Sequence, residues 1–346
     1  MSKPSLVACA LLSLGTLLSG TGCRTAAPIH PPGSAALVGC GENGELDWIN
    51  LDSGKRKRTY GTAHSPDIVR VAPSGGLVAV LDRKAETVTV FDIGDRVQRR
   101  VIELPAGSRP TDIDFIDRRS HLAVACPGNG SLITLGLKTG EVANTVDCGG
   151  TPVALAGHFE QDRVAVALTS PNSVVLLDSA TGKELRRIAL PATPGAIAQH
   201  PTRDELWVLS PGSNVVMVVD SGAARVRVLP CPGGPRAVRV SYDGKTALVM
   251  CAASGEIAAF DTRFLTEAWR STPPVSANGK AAFPAAIELE PPGAHLLVVM
   301  TNANRLDEVE VETGKWLRSL QTAPRPLSVG WLRVRTTGRL DSIGHF

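Results

Sequence analysis

Aromatic residues make up only 4% of this 346-residue chain. A core of stacked rings is therefore excluded, and Val, Leu, Ala and Ile must do the packing. Charge of one sign is also scarce. The formal net charge is +3, and no basic stripe is interleaved with aromatics, so a nucleic-acid partner is not expected. No segment beyond the N-terminus sustains the 3.6-residue period of an amphipathic helix. The phosphate loop Gly-x-x-x-x-Gly-Lys, the Gly-x-Ser-x-Gly elbow and the His-Glu-x-x-His pair are all missing. No Cys-x-x-Cys occurs either, which leaves thiol redox and metal chemistry without a motif. No cofactor, metal-ligand set or catalytic residue is read from the sequence.

What the chain does have is a repeat. A proline returns at Pro66, Pro110, Pro152, Pro194, Pro235, Pro284 and Pro326, at steps of 44, 42, 42, 41, 49 and 42 residues. A second marker, an apolar run ending in a polar residue, recurs out of phase at Asp52, Asp92, Lys138, Asp178, Asp220, Asp261 and Glu312. Two markers sharing a period near 42 predict a repeat architecture, and this period fits a four-stranded propeller blade. The unit from Pro152 shows the layout. Val153–Gly157, Val164–Leu168, Val174–Leu177 and Glu184–Leu190 are β-rich runs parted by turn residues. Second runs such as Leu77–Leu81, Leu122–Cys126 and Leu296–Met300 are apolar throughout, as strands covered on both faces should be.

The chain ends predict the blade count. Three strands precede Pro66: Ala36–Cys40, Glu45–Leu51 and Arg56–Tyr60. One strand, Leu327–Val334, is left over at the C-terminal end. One plus three completes a blade. The expected fold class is all-β: a seven-bladed β-propeller over residues 36–336, closed by pairing of its N- and C-terminal strands, with a tail at 337–346. Such closure removes exposed sheet edges, and a monomer is expected.

The matching residues Thr181-Gly182-Lys183, Thr313-Gly314-Lys315, Gly149-Gly150-Thr151-Pro152, Gly233-Gly234-Pro235 and Asp243-Gly244-Lys245 resemble the YVTN-type β-propeller repeat. The resemblance covers about residues 36 to 336. It departs where the Tyr-Val-Thr-Asn run should stand, since those positions read Ala165-Val166-Ala167-Leu168 or Ala123-Val124-Ala125-Cys126. The Gly-His and Trp-Asp pairs of WD40 repeats are absent. The resemblance implies a propeller fold and an envelope location, but no single activity.

Residues 1–22 read as a signal peptide. Lys3 supplies the positive end, and the apolar stretch Leu6–Leu18 has 13 residues, too short for a membrane span. Gly20-Thr21-Gly22-Cys23 resembles a bacterial lipoprotein box, which implies lipid attachment at Cys23 and export to the cell envelope. Arg24 follows the cysteine, which in a cell with two membranes implies the outer one, on its periplasmic side or surface. Residues 24–35, Pro-rich, read as a tether between the anchor and the propeller.

The repeat phase places other residues. Cys40, Cys126 and Cys251 end second strands, while Cys148 and Cys231 stand four residues before a repeat proline, so all five belong near one end of the ring. They are expected as small buried residues rather than disulfides. The histidines scatter over repeat positions, and a shared metal site is not expected. Four residues past each proline, the inner-strand column reads Arg70, Asp114, Ala156, Ala198, Arg239, Glu288 and Gly330. Arg70 with Asp114 and Arg239 with Glu288 are expected to neutralise each other between blades. The run Lys55–Arg58 reads as a solvated hairpin.

The loops that lead into the repeat prolines carry Arg109, Arg236 and Arg325. The longest of them, Ser271–Phe283, holds Lys280. Arg109, Arg236, Lys280, Phe283 and Arg325 are therefore the expected contact set for an anionic ligand or an acidic patch on an envelope protein. The favoured reading is a non-catalytic binding or scaffolding propeller. The competing one is a propeller enzyme of the lyase or lactonase kind, which would need carboxylates and histidines converging at the channel mouth.

Overall fold

In the computed structural model the described residues are 30–333, apart from 31–32, 42–43, 63, 74, 94–96, 118–120, 159–160, 232, 276–281 and 292. Seven four-stranded antiparallel sheets form the ring. Blade 1 spans residues 68–103, blade 2 112–147, blade 3 152–189, blade 4 196–230, blade 5 235–271 and blade 6 284–321. Blade 7 is composite. Its inner strand Pro326–Arg333 pairs antiparallel with Ser34–Cys40, which is followed by Glu45–Asn50 and Arg56–Gly61. The expected closure by both chain ends is what the structure shows, with the first strand starting at Ser34. The one helical element among the described residues is a single 3-10 turn, Thr301–Ala303.

The apolar second strands show how the ring holds together. Successive strand residues point to opposite faces, and each face of a blade meets a different neighbour. In His121–Cys126, Leu122, Val124 and Cys126 pack toward blade 1, whereas Ala123 and Ala125 pack toward blade 3. Every interface repeats this scheme, giving seven core clusters among the described residues, one between each pair of neighbours. The seam between blades 7 and 1 has its own cluster, with Leu37, Leu46, Val69, Val80 and Phe91 fully or almost fully buried. Truncating any one of these large side chains to Ala is expected to cost about 2–5 kcal/mol.

Outer strands are polar on their exposed side. Lys55–Arg58 lies mostly in the outer strand Arg56–Gly61 rather than in a turn, and it is exposed. Arg56 Nη2 reaches back 2.9 Å to the buried Asp47 carboxylate. Asp47 Oδ2 in turn accepts the Ala323 N–H at 2.8 Å, tying blade 7 to the connection arriving from blade 6.

Candidate functional site

The chain passes from each outer strand to the next inner strand at one end of the ring, here the mouth. Because inner strands surround the central channel, the residue before each repeat proline stands at the channel rim. Arg109, Phe283 and Arg325 occupy such positions and Arg236 follows Pro235; all four are exposed. Lys280, the fifth expected contact, lies outside the described residues. Up to its proline, none of the seven connections contains Asp or Glu.

The rim is built by a recurring device. Arg109 and Arg325 have positive φ, 49° and 56°. That region is costly without a glycine and needs support from its surroundings. Their N–H groups donate to Glu86 Oε1 and Asn304 Oδ1, both at 2.8 Å. The Gly234 N–H donates likewise to Asn214 Oδ1 at 2.9 Å. Glu86, Asn214 and Asn304 occupy corresponding positions in turns between second and third strands, each with positive φ. Glu86 also accepts the Gly107 N–H at 2.8 Å, so the rim's nearby acid is engaged in holding backbone. Phe283 is 47% exposed. Its N–H donates to Asn302 Oδ1 at 3.1 Å, and its ring covers Gly255, where a Cβ would stand 3.3 Å from the ring.

Inside the channel the pairing differs in part from expectation. Arg239 and Glu288 do pair, with Nη2 3.1 Å from Oε2 and Nε 3.3 Å from both oxygens. Arg70 bonds instead to Asp112 Oδ1 at 3.1 Å. Asp114 accepts backbone N–H groups, from Phe115 at 3.0 Å and from Gly157 at 3.0 Å. Asp112 Oδ2 takes the Leu155 N–H at 3.1 Å. The physical reason lies in the inner strand's free edge, whose channel-side N–H groups have no strand partner. Asp112 and Asp114, two residues apart on one side of the strand Asp112–Phe115, supply the acceptors for blade 3. Burial pushes the Asp114 carboxyl up to about 6, against the pull of Arg70 and the Gly157 N–H.

The five described cysteines are buried and unbridged. Burial pushes Cys40 and Cys126 up to about 12 and Cys148 to about 11. Such thiols stay protonated and are poor nucleophiles. Cys231 and Cys251 stand apart, with sulfurs 3.6 Å from one another.

A second concentration of polar chemistry lies at the opposite end of the ring, and sequence reasoning missed it. His30, placed by the sequence in the tether, is 2% exposed. It precedes the closing strand Ser34–Cys40, as Glu290 and His295 flank the turn into the second strand of blade 6. His30 Nδ1 lies 2.6 Å from Glu290 Oε2, and His295 Nδ1 lies 2.9 Å from the same oxygen. The Ser34 hydroxyl donates to Glu290 Oε1 at 3.1 Å. His30 Nε2 is 3.0 Å from Glu308 Oε2 and 2.8 Å from Arg318 Nη2. Arg318 holds both Glu308 oxygens at 2.9 Å and donates to the Leu51 carbonyl of blade 7.

Electrostatics follow from that arrangement. Burial alone would lower the His30 pKa, but the Glu290 and Glu308 carboxylates overcome it and raise the imidazole to about 9. Glu290 and Glu308, whose burial pushes the other way, are held below the ordinary carboxylate range by their histidine and arginine partners. The buried His200 has a different fate. Burial lowers its pKa, and its ring bonds only to backbone, through Nε2 to the Gly244 carbonyl and Nδ1 to the Thr202 and Arg203 N–H groups. The signal that would have found the cluster is repeat position: His30 stands where the chain enters a second strand, the same end as Glu290 and His295.

No family model matches this chain, and no curated protein matches its sequence. The YVTN resemblance therefore stands on the quoted residues alone. Solved structures do match its fold. A functionally unknown protein from Desulfotomaculum acetoxidans DSM 771 superposes with a TM-score of 0.73 at 12% identity, covering 86% of this chain and 98% of that one. AztD from Citrobacter koseri in its apo form gives 0.65 at 13% identity, with 86% and 97% covered. Kuenenia stuttgartiensis hydrazine synthase gives 0.66 at 16% identity, with 78% and 95% covered. At these identities the likeness is one of fold.

Proposed function

We propose that this chain is a non-catalytic binding propeller. It is tethered in a bacterial envelope by lipid at Cys23, and it offers its mouth to an anionic ligand or an acidic patch of an envelope protein. The observation that carries the reading is the absence of Asp and Glu from the part of each rim connection that precedes its proline, while Arg109, Arg236 and Arg325 stand at the rim exposed. Cations around a ring opening raise the local concentration of anions, and salt screens the effect over a Debye length of roughly 8 Å. Phe283 adds an apolar surface of the kind that anchors contacts. An enzyme would need a free acid or base aimed into the channel. Asp112, Asp114 and Glu288 are instead engaged by Arg70, Arg239 and backbone N–H groups.

The test uses retention on immobilised polyglutamate across a salt series. Replacing Arg109, Arg236 and Arg325 together by Ala should release the protein at lower salt and flatten the salt dependence, with an unchanged melting curve. Retention that survives this change but is lost on neutralising Lys55, Arg56, Lys57 and Arg58 would place binding on the outer strand of blade 7 instead. For the anchor, Cys23→Ser should move the protein from the membrane fraction to the soluble one; identical fractionation of both forms refutes lipidation.

A further inference from the structure

The cluster at the end of the ring opposite the mouth has more order than charge neutralisation requires. Two imidazole nitrogens and one carboxylate oxygen, from His30, His295 and Glu290, all lie within 4.8 Å of one another. Both His30 Nδ1 and His295 Nδ1 aim at the same oxygen, Glu290 Oε2. Each of the two buried donors is oriented from behind. Ser34 Oγ holds the other Glu290 oxygen, and Glu308 Oε2 faces the far nitrogen of His30, itself locked by Arg318. A carboxylate behind a ligating imidazole is the usual way a protein fixes ring orientation and tautomer at a metal.

We infer that His30, Glu290 and His295 form a binding site for a divalent transition-metal ion, Zn2+ in the first place. Three protein donors leave a fourth position open, the arrangement of a zinc site that keeps a water or exchanges its ion. Two imidazoles disfavour Ca2+ and Mg2+, which prefer all-oxygen shells. Donor atoms on one tetrahedral ion stand about 3.4 Å apart given bond lengths near 2.1 Å. The present gaps of 2.6 and 2.9 Å would open by roughly 0.8 and 0.5 Å. Access exists on one side. His295 lines an open groove of about 430 Å3 that also bears Asp243, Glu310 and Glu312, with Lys245 paired to Asp243 at 3.2 Å. An acidic groove leading to a partly exposed imidazole suits capture of a cation.

The site also has a mechanical side. His30 belongs to the lead-in of the closing strand, and Glu290 and His295 belong to blade 6. An ion held by all three would therefore staple the chain's entry point to the neighbouring blade.

The experiment uses the full mature protein, stripped with a chelator and titrated with Zn2+ against a chromophoric competitor. One equivalent should bind more tightly than micromolar. A 100-fold excess over Kd should raise the melting temperature by roughly 5 °C. His295→Ala removes a partly exposed ligand outside the core clusters, and it should weaken Zn2+ by more than about 100-fold while leaving the melting curve of the stripped protein in place. Glu290→Gln, checked for folding by circular dichroism, should also weaken Zn2+ by more than about 100-fold, and Arg227→Ala, exposed on the outer strand of blade 4, should leave Zn2+ binding unchanged. A stripped protein that takes up no Zn2+, or one whose melting is indifferent to it, reduces the cluster to an ion-pair clamp and overturns the proposal. Unaltered Zn2+ uptake by His295→Ala overturns it equally, by moving the ion elsewhere.

Discussion

The two ends of the ring use charge in opposite ways. At the mouth, arginines stand exposed and the nearest acid, Glu86, is spent on backbone. At the other end, Glu290, Glu308 and His30 are 1–2% exposed or less and tied to one another and to Arg318. The same repeat builds both ends. What separates them is where carboxylates fall: none lies in the mouth connections ahead of their prolines, whereas two lie inside the blade 6–blade 7 seam. Charge left without a buried counterpart is available to a partner, and charge enclosed with its counterpart becomes part of the scaffold. The contrast between His200 and His30 teaches the same lesson at one residue: burial without a carboxylate partner lowers the pKa of the first, and two glutamates raise that of the second.

Both ends depend on ring closure, so the largest effect should come from breaking it. Deleting residues 326–346 removes the inner strand of blade 7 and exposes Ser34–Cys40 as an edge. Loss of the cooperative thermal transition, or aggregation, is the expected outcome by calorimetry. An unchanged transition would mean that the seam contributes little.

Next in size is a test of the comparison itself. Glu308→Ala leaves the buried His30 and the partly exposed Arg318 beside a missing carboxylate. It should cost about 3–5 kcal/mol in urea unfolding, the range for breaking a buried pair. Arg109→Ala at the mouth should stay within about 0.5 kcal/mol, as surface substitutions do. Equal costs at the two ends would erase the distinction.

The smallest effect concerns the channel between the ends. Asp114 keeps its proton up to about 6, while in the unfolded chain it ionises near its ordinary value of about 3.9. Between those values the folded protein holds more protons than the unfolded one. Stability therefore falls as pH rises through this window and levels off above it. Asp114→Asn keeps an acceptor for the Gly157 N–H and removes the buried charge. It should gain about 1–2 kcal/mol at pH 7.5 and nothing at pH 4. A gain that persists at pH 4 would assign the effect to packing.

Much of this molecule was legible before its coordinates. Prolines at a fixed period, apolar second strands and one leftover C-terminal strand were enough for seven blades and for the pairing of Leu327–Val334 with Ala36–Cys40, which the structure shows between Pro326–Arg333 and Ser34–Cys40. Repeat phase also placed the buried cysteines and the exposed arginines. It chose Asp114 as the partner of Arg70 where the structure has Asp112, because both point from one side of the same strand and side-chain reach decides. Nor could it show that His30 meets Glu290 across 260 residues of chain, since that contact exists only once the last blade docks against the first strand. Composition drew residues 24–35 as a spacer, and a Pro-rich segment gives no sign that His30, Ser34 and Ala35 are buried.

If Cys23 carries lipid, the burial of His30 limits the length of the leash. Only residues 24–29 separate Cys23 from that fixed point, and seven steps of extended chain span at most about 25 Å. His30 itself lies at the end of the ring away from the arginine rim. A lipid on Cys23 would therefore hold the propeller close to the bilayer with its mouth turned outward, so that the anchor sets which way the ring faces as well as where it resides.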